Sequence, residues 1–232
     1  MIERRPAGEL GRFQNDWLNA RYHFSFANWR DPDRMGWGDL LVWNDDEIAA
    51  GMGFPPHGHA DMEIITYVRT GAISHRDSLG NEGRTVAGDV QVMSAGSGIR
   101  HAEHNAEDET TTLFQIWIQP TSRGGAPSWG AKAFPSGDRS GEFVPLASGR
   151  PGEGDALPIR ADARVLGATL KAGDATQYAL APGRHAYLAT AVGEIEINGV
   201  KLEARDGAAI VDEDVLNVRA LADAEVVLVD TR

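Results

Sequence analysis

Along this chain, apolar residues come in short runs broken by clusters of Gly, Pro, Asn, Asp and Ser, a rhythm that predicts strands and turns and no long amphipathic helix. Residues 39–43 read as a strand and Asn44-Asp45-Asp46-Glu47 as a turn. A strand over 62–70 ends at Gly71, and 72–78 returns beside it. After the turn 79–83, strands follow at 90–94 and 99–103, split by the loop Ala95-Gly96-Ser97-Gly98. A longer strand over 110–118 is stopped by Pro120.

From 121 to 155 the periodicity fades into Gly, Ser and Pro, as expected of a connection between domains. Short strands resume at 163–169, 185–192 and 194–197, where Asn198-Gly199 supplies a tight hairpin turn, and then at 208–211, 216–220 and 225–229. The expected fold class is all-β, with two β-barrels of similar size over residues 1–130 and 131–232. The halves share a rhythm but no exact repeat.

Composition narrows the chemistry. The chain has 232 residues and no cysteine, which excludes disulfides, thiolate nucleophiles and iron–sulfur clusters and leaves nitrogen and oxygen as metal ligands. A formal net charge of -12 disfavours direct binding to nucleic acid or an anionic membrane. No apolar stretch follows Arg4 and Arg5, and no run is long enough to span a bilayer, so a cytoplasmic location is the expectation.

Two segments carry candidate chemistry: Gly51-Met52-Gly53-Phe54-Pro55-Pro56-His57-Gly58-His59 and Gly96-Ser97-Gly98-Ile99-Arg100-His101-Ala102-Glu103. In an extended chain, residues i and i+2 share a face, so His57 pairs with His59 and His101 with Glu103. On neighbouring strands the four would converge on one divalent transition metal. Three imidazoles and a carboxylate suit Fe, Mn, Ni, Cu, Zn or Co better than calcium. The ligand set does not choose among them, and iron(II) is taken as the first to test. A lone His-x-His is weak evidence, since histidine is often a buried hydrogen-bonding residue; the second pair with matching parity is what gives the cluster weight. Glu63, four residues after His59, competes as a carboxylate near the metal. His104 should face solvent, whereas His23, His75 and His185 read as isolated structural histidines. Met52, Phe54, Met62, Met93, Phe114 and Trp117 are candidates to line a pocket or a core, and Gln115 to support the site.

These residues resemble two cupin motifs: Gly51, His57-Gly58-His59, Glu63 and Gly71 resemble the first, and residues 88–105 the second. Ser94 stands where the second motif usually has proline, and four residues rather than two separate Gly96 from His101. With those departures, and with phrases such as Glu63-Ile64-Ile65-Thr66-Tyr67 and His75-Arg76-Asp77-Ser78-Leu79-Gly80-Asn81, the chain is similar to bacterial pirin-like proteins over most of residues 1–130. The resemblance implies a bicupin with two jelly-roll barrels, its metal in the N-terminal one on His57, His59, His101 and Glu103, with Glu63 just outside the ligand shell. The C-terminal half has only His185 and no ligand pair, so it is expected to be metal-free.

The resemblance further implies a flavonol 2,3-dioxygenase. Quercetin would chelate the metal through its 3-hydroxyl and 4-carbonyl oxygens, dioxygen would cleave the central ring, and Glu103 or Glu63 would accept the hydroxyl proton as general base. The alternative is a metal-dependent binding or redox-sensing regulatory module acting through a protein partner. An open apolar cavity beside the metal would favour the enzyme, and a filled barrel the module.

Overall fold

The computed structural model describes residues 1–232, apart from the side chains of residues 136 and 138. The chain is 56% strand and 2% helix. The first strands are β1 (Ile2–Arg5), β2 (Gly11–Gln14), β3 (Leu18–Tyr22), β4 (Leu40–Ile48), β5 (Gly53–His59) and β6 (Glu63–Thr70). They are followed by β7 (Ala72–Asp77), β8 (Glu82–Val86), β9 (Val90–Ser94), β10 (Ile99–His104), β11 (Thr111–Ile118) and β12 (Ser128–Lys132). The second half begins with β13 (Val144–Ser148), β14 (Leu157–Pro158), β15 (Ala163–Leu170), β16 (Ala175–Ala179) and β17 (His185–Val192). It ends with β18 (Ile195–Ile197), β19 (Val200–Leu202), β20 (Gly207–Val211), β21 (Val215–Ala220) and β22 (Ala224–Thr231).

Each half is a double-sheet roll, not a closed barrel. In the N-terminal half a seven-stranded sheet, ordered β12-β9-β6-β11-β4-β3-β2, opposes the four-stranded sheet β5-β10-β7-β8. The C-terminal half repeats the plan with β1-β20-β17-β22-β15-β13-β14 over β16-β21-β18-β19. The division expected at 130/131 shifts at both ends. β1 pairs with β20, from Ile2 opposite Ile210 to Arg5 opposite Gly207, and so belongs to the C-terminal sheet. β12 runs to Lys132 on the edge of the N-terminal sheet, and it and β13 lie in the stretch expected to be an irregular connection.

The two seven-stranded sheets are packed through one apolar core. The period-2 alternation of strands directs Ile65 and Tyr67 of β6 and Phe114 and Ile116 of β11 into it, where they meet Val165, Tyr187 and Val229 of the C-terminal sheet. The alternate positions, Leu166, Ala168, Leu188 and Leu228, fill the C-terminal roll. Full burial of each Val, Leu or Ile contributes roughly 1.5–3 kcal/mol. In the N-terminal roll, the positions that face inward are partly polar. The expected turn at 44–47 is instead the interior of β4, with Asn44, Asp45 and Asp46 all buried. Asp45 tolerates burial because it pairs with Arg69 and Arg205, while Asn44 and Asp46 point the other way, into the roll.

Candidate metal centre

The site is built where β5 and β10 pair antiparallel. His101 lies directly opposite His57, and Ile99 opposite His59, which brings the imidazoles of both strands to one face. The register slips between His101 and Glu103, so that Glu103 faces Phe54 and the segment Pro55-Pro56 bulges out of the ladder. Proline has no N–H to give to a ladder, and a bulge re-aims the side chains beside it. Gly53 is needed at the end of this strand, because a Cβ there would lie 2.2 Å from the Glu103 carbonyl oxygen.

His57, His59 and His101 each offer a ring nitrogen within 4.8 Å of the others. His57 Nδ1–H donates to the Pro55 carbonyl at 2.8 Å, which leaves its Nε2 lone pair free, 3.1 Å from His101 Nε2. On its other side His101 meets His75, Nδ1 to Nδ1 at 3.4 Å, and His75 Nε2 lies 3.1 Å from Asp77 Oδ2. Burial works against the Asp77 charge, but hydrogen bonds from Asn81, His75 and the backbone N–H groups of Leu79 and Asn81 outweigh it and hold the carboxyl below its ordinary range. An ionised Asp77 accepts from His75 Nε2–H, so His75 Nδ1 is an acceptor and His101 Nδ1–H must donate to it. Both facing Nε2 atoms are therefore acceptors. Two lone pairs 3.1 Å apart repel unless a cation lies between them, and one ion bound by both nitrogens would relieve that repulsion. A proton on His101 or His59 is a poor substitute: burial and the neighbouring imidazoles push His101 down to about 3, and burial and then His57 push His59 down to about 4.

Glu103 arrives from the same strand as His101 and is 3% exposed, with a carboxylate oxygen within 4.8 Å of ring nitrogens of His75 and His101. A row of polar residues directly opposite one another across the seven-stranded sheet meets it: Asn44, Gln115, Thr66 and Gln91, from β4, β11, β6 and β9. Gln91 Nε2 donates to Glu103 Oε1 at 2.7 Å and Gln115 Nε2 to Oε2 at 2.8 Å. Thr66 Oγ1 lies between the amides, 3.0 Å from Gln115 Oε1. These partners are neutral, and burial pushes Glu103 up to about 7 in spite of the hydrogen bonds from Gln115, Thr66 and Gln91. A buried carboxylate oriented by neutral amides, next to lone pairs with no donor, is a donor set that fits a divalent transition ion.

Glu63 does not join this set. Asp61, with φ of 51°, reverses the chain between β5 and β6, so the parity shared with His59 is lost. Glu63 lies on the face of β6 opposite to Ile64 and Thr66; it accepts from Ser94 Oγ at 2.5 Å, and the Arg160 backbone and charge partly offset the burial that raises its carboxyl. His104 is exposed, and His23 and His185 pack at the boundary between the halves against Tyr187 and Trp37. His75, read from sequence as isolated, is instead the residue behind His101 and stacks on Trp129 at 4.7 Å. The i,i+2 pair His75 and Asp77 carried the available signal.

Beside the imidazoles opens a cavity of about 320 Å³, with apolar walls from Phe26, Phe54, Ile64 and Trp117. Trp117 meets His59 edge to face at 4.9 Å. Of the other apolar candidates, Met62 and Met93 pack with Ile99, Phe114 faces the core between the halves, and Met52 is exposed. Asn44, Asp46 and Gln115 supply the polar lining away from the histidines. Asn44 and Asp46 were missed as site residues because their polarity imitates a turn.

The Pirin family model matches residues 3–118, and a model described as the quercetinase C-terminal cupin domain matches residues 146–231. The chain belongs to the pirin family. A pirin-like protein of Caulobacter vibrioides is 67% identical over 230 residues, 99% of each chain. The quercetin 2,3-dioxygenase of Escherichia coli K12 is 39% identical over 231 residues, 99% of this chain and 98% of that one. The crystal structure of YhhW, a bacterial pirin from Escherichia coli, in complex with nickel(II) matches with a TM-score of 0.93 at 39% identity, covering 100% of this chain and 99% of that one. In this pirin the two rolls are its two cupin domains, and the N-terminal one carries a His and Glu cluster that could hold a metal. No helix among the described residues is long and apolar enough to cross a membrane.

Proposed function

We propose that this pirin is a metal-dependent dioxygenase of the quercetin 2,3-dioxygenase type, acting on a planar aromatic ligand that presents adjacent hydroxyl and carbonyl oxygens. One observation carries the reading: the facing Nε2 lone pairs of His57 and His101 open onto an apolar cavity of about 320 Å³. That size is at the lower end of small-molecule sites, roughly 300–1,000 Å³. His57, His59, His101 and Glu103 are assigned as the ligands, with iron(II) the first metal to test. When bound, such an ion would supply Lewis acidity toward chelating oxygens.

The protein's own groups would do the rest. Phe54 and Trp117 would orient a flat ring system and exclude water, and Gln91 and Gln115 would keep the Glu103 carboxylate from swinging out of the site. Glu103 is also the carboxylate we assign to accept the hydroxyl proton. The names of the relatives support the substrate class, and the cavity favours an enzyme over a filled regulatory module. The test is oxygen uptake with quercetin by protein loaded anaerobically with iron(II), beside His101→Ala. Quercetin-dependent uptake lost in the variant supports the reading, and metal-loaded protein that consumes no oxygen with iron(II), manganese(II) or nickel(II) rejects it.

A further inference from the structure

Asp46 is a buried carboxylate in the cavity wall. It is 2% exposed, lines the same cavity as the histidines, and its Oδ1 has no hydrogen-bond partner among the described residues. The other buried acids of the N-terminal half differ: Asp45 has Arg69 and Arg205, Glu63 has Ser94, Asp77 has His75 and Asn81, and Glu103 has its two glutamines. Opposite Asp46 in the sheet are Ala20 and Leu113, which offer it nothing. Two residues earlier on the same face, Asn44 lines the cavity too, and its Oδ1 also lacks a partner. Buried polar groups are almost always paired, and two unpaired oxygens on residues that line one cavity point to a partner that enters it.

We propose that Asp46, with Asn44 beside it, reads a hydroxyl group of the aromatic ligand at a point distinct from the oxygens that chelate the metal. This rests on the flavonol reading of the cavity and narrows it to polyhydroxylated ligands. A carboxyl group accepts a phenolic O–H in either protonation state, so the contact does not depend on Asp46 being charged. Burial, then Asp45 and Glu103, raise Asp46 well above the usual carboxylate range, and the opposing charge of Arg69 does not offset them. A site built to bond a hydroxyl discriminates against analogues lacking it, because its own polar groups are then left unpaired. The arrangement also accounts for a buried Asn44-Asp45-Asp46 run in a strand, where local propensity is sacrificed to a site.

The test compares zinc(II)-loaded wild-type protein with Asp46→Leu under anaerobic conditions, which prevents turnover. The probes are quercetin and 3-hydroxyflavone, which keeps the chelating oxygens but lacks the other ring hydroxyls. Asp46→Leu should weaken quercetin binding about tenfold or more and leave 3-hydroxyflavone within about twofold. The melting temperature of the ligand-free variant should not fall, since no internal partner is lost. Equal loss for both ligands, or unchanged quercetin affinity, overturns the proposal; a lower melting temperature does so by making Asp46 structural. Failure of the wild type to bind either probe is a different result, which removes the flavonol reading and the role of Asp46 with it.

Discussion

His57 Nε2 and His101 Nε2 face each other at 3.1 Å while both Nδ1 atoms are engaged as donors, to the Pro55 carbonyl and to His75. The pair is frustrated without a cation and satisfied with one. Protein prepared with a divalent transition metal should therefore hold about one ion per chain, as read by elemental analysis, and His101→Ala should hold none. A divalent ion at about 100 times its dissociation constant adds about 2.7 kcal/mol, so it should raise the melting temperature by roughly 5–10 °C in a chain of this size. An unchanged melting temperature on adding metal or a chelator would contradict the assignment.

Asp77 and His75 fix the tautomer of His101 from behind. His75→Phe keeps an aromatic ring against Trp129 but removes the acceptor for His101 Nδ1–H. Metal affinity, measured by competition with a chromogenic chelator, should fall about 10–100-fold. Asp77→Asn should act in the same direction. If His75→Phe binds metal as tightly as wild type, the relay has no role.

The two glutamates offered as bases separate cleanly. Glu63→Gln removes a charge bonded to Ser94 on the far face of β6, and should leave metal content and quercetin-dependent oxygen uptake within about twofold of wild type. Glu103→Gln removes a proposed ligand, and should lose the metal or the uptake. Loss of uptake in Glu63→Gln would return that residue to the mechanism.

What could be read in the sequence was whatever obeyed a short-range rule. The i,i+2 parity of His57 with His59 and of His101 with Glu103, the alternating strands β6 and β11, and the Asn198-Gly199 hairpin all follow from local periodicity. What could not be read depends on distant partners. β1 joins β20 across the whole chain, and the strand character of Asn44-Asp45-Asp46 depends on Arg69, Arg205 and a cavity that no local window contains. His75 looked isolated because its partner His101 lies on a neighbouring strand. Glu63 is separated from the histidines for the opposite reason: the chain turns at Asp61, where φ is positive, and its side chain reaches Ser94 instead.

Asp45 is the charge that ties β4 to both Arg69 on β6 and Arg205 in the turn before β20. It has no solvent exposure, and the Arg69 side chain is only 8% exposed. Asp45→Ala should cost about 3–5 kcal/mol in urea denaturation, because two guanidinium groups then lose their shared carboxylate. Glu47, 2.6 Å from Arg205, retains one of them. A cost below about 1 kcal/mol would show that the pair is no more than a surface contact.

Acid should destabilise the protein through His23. Its imidazole is wholly buried between Trp43 and Tyr187, with Nδ1 2.8 Å from the Tyr187 hydroxyl, and Gly207 leaves no room for a Cβ beside them. Burial, and then the charges of Arg5, Arg34, Arg205 and Arg69, depress it to about 3 in the folded state, against about 6.5 unfolded. Between those values the unfolded chain binds a proton that the folded chain refuses. The stability is thus fully present above about pH 6.5 and falls by about 1.4 kcal/mol per pH unit as the pH drops toward 3. His23→Gln should flatten that part of the pH–stability curve by one proton's slope while lowering stability at neutral pH, where the contact with Tyr187 is altered. An identical slope in wild type and variant between pH 6 and pH 4 would mean that the proton is taken up elsewhere.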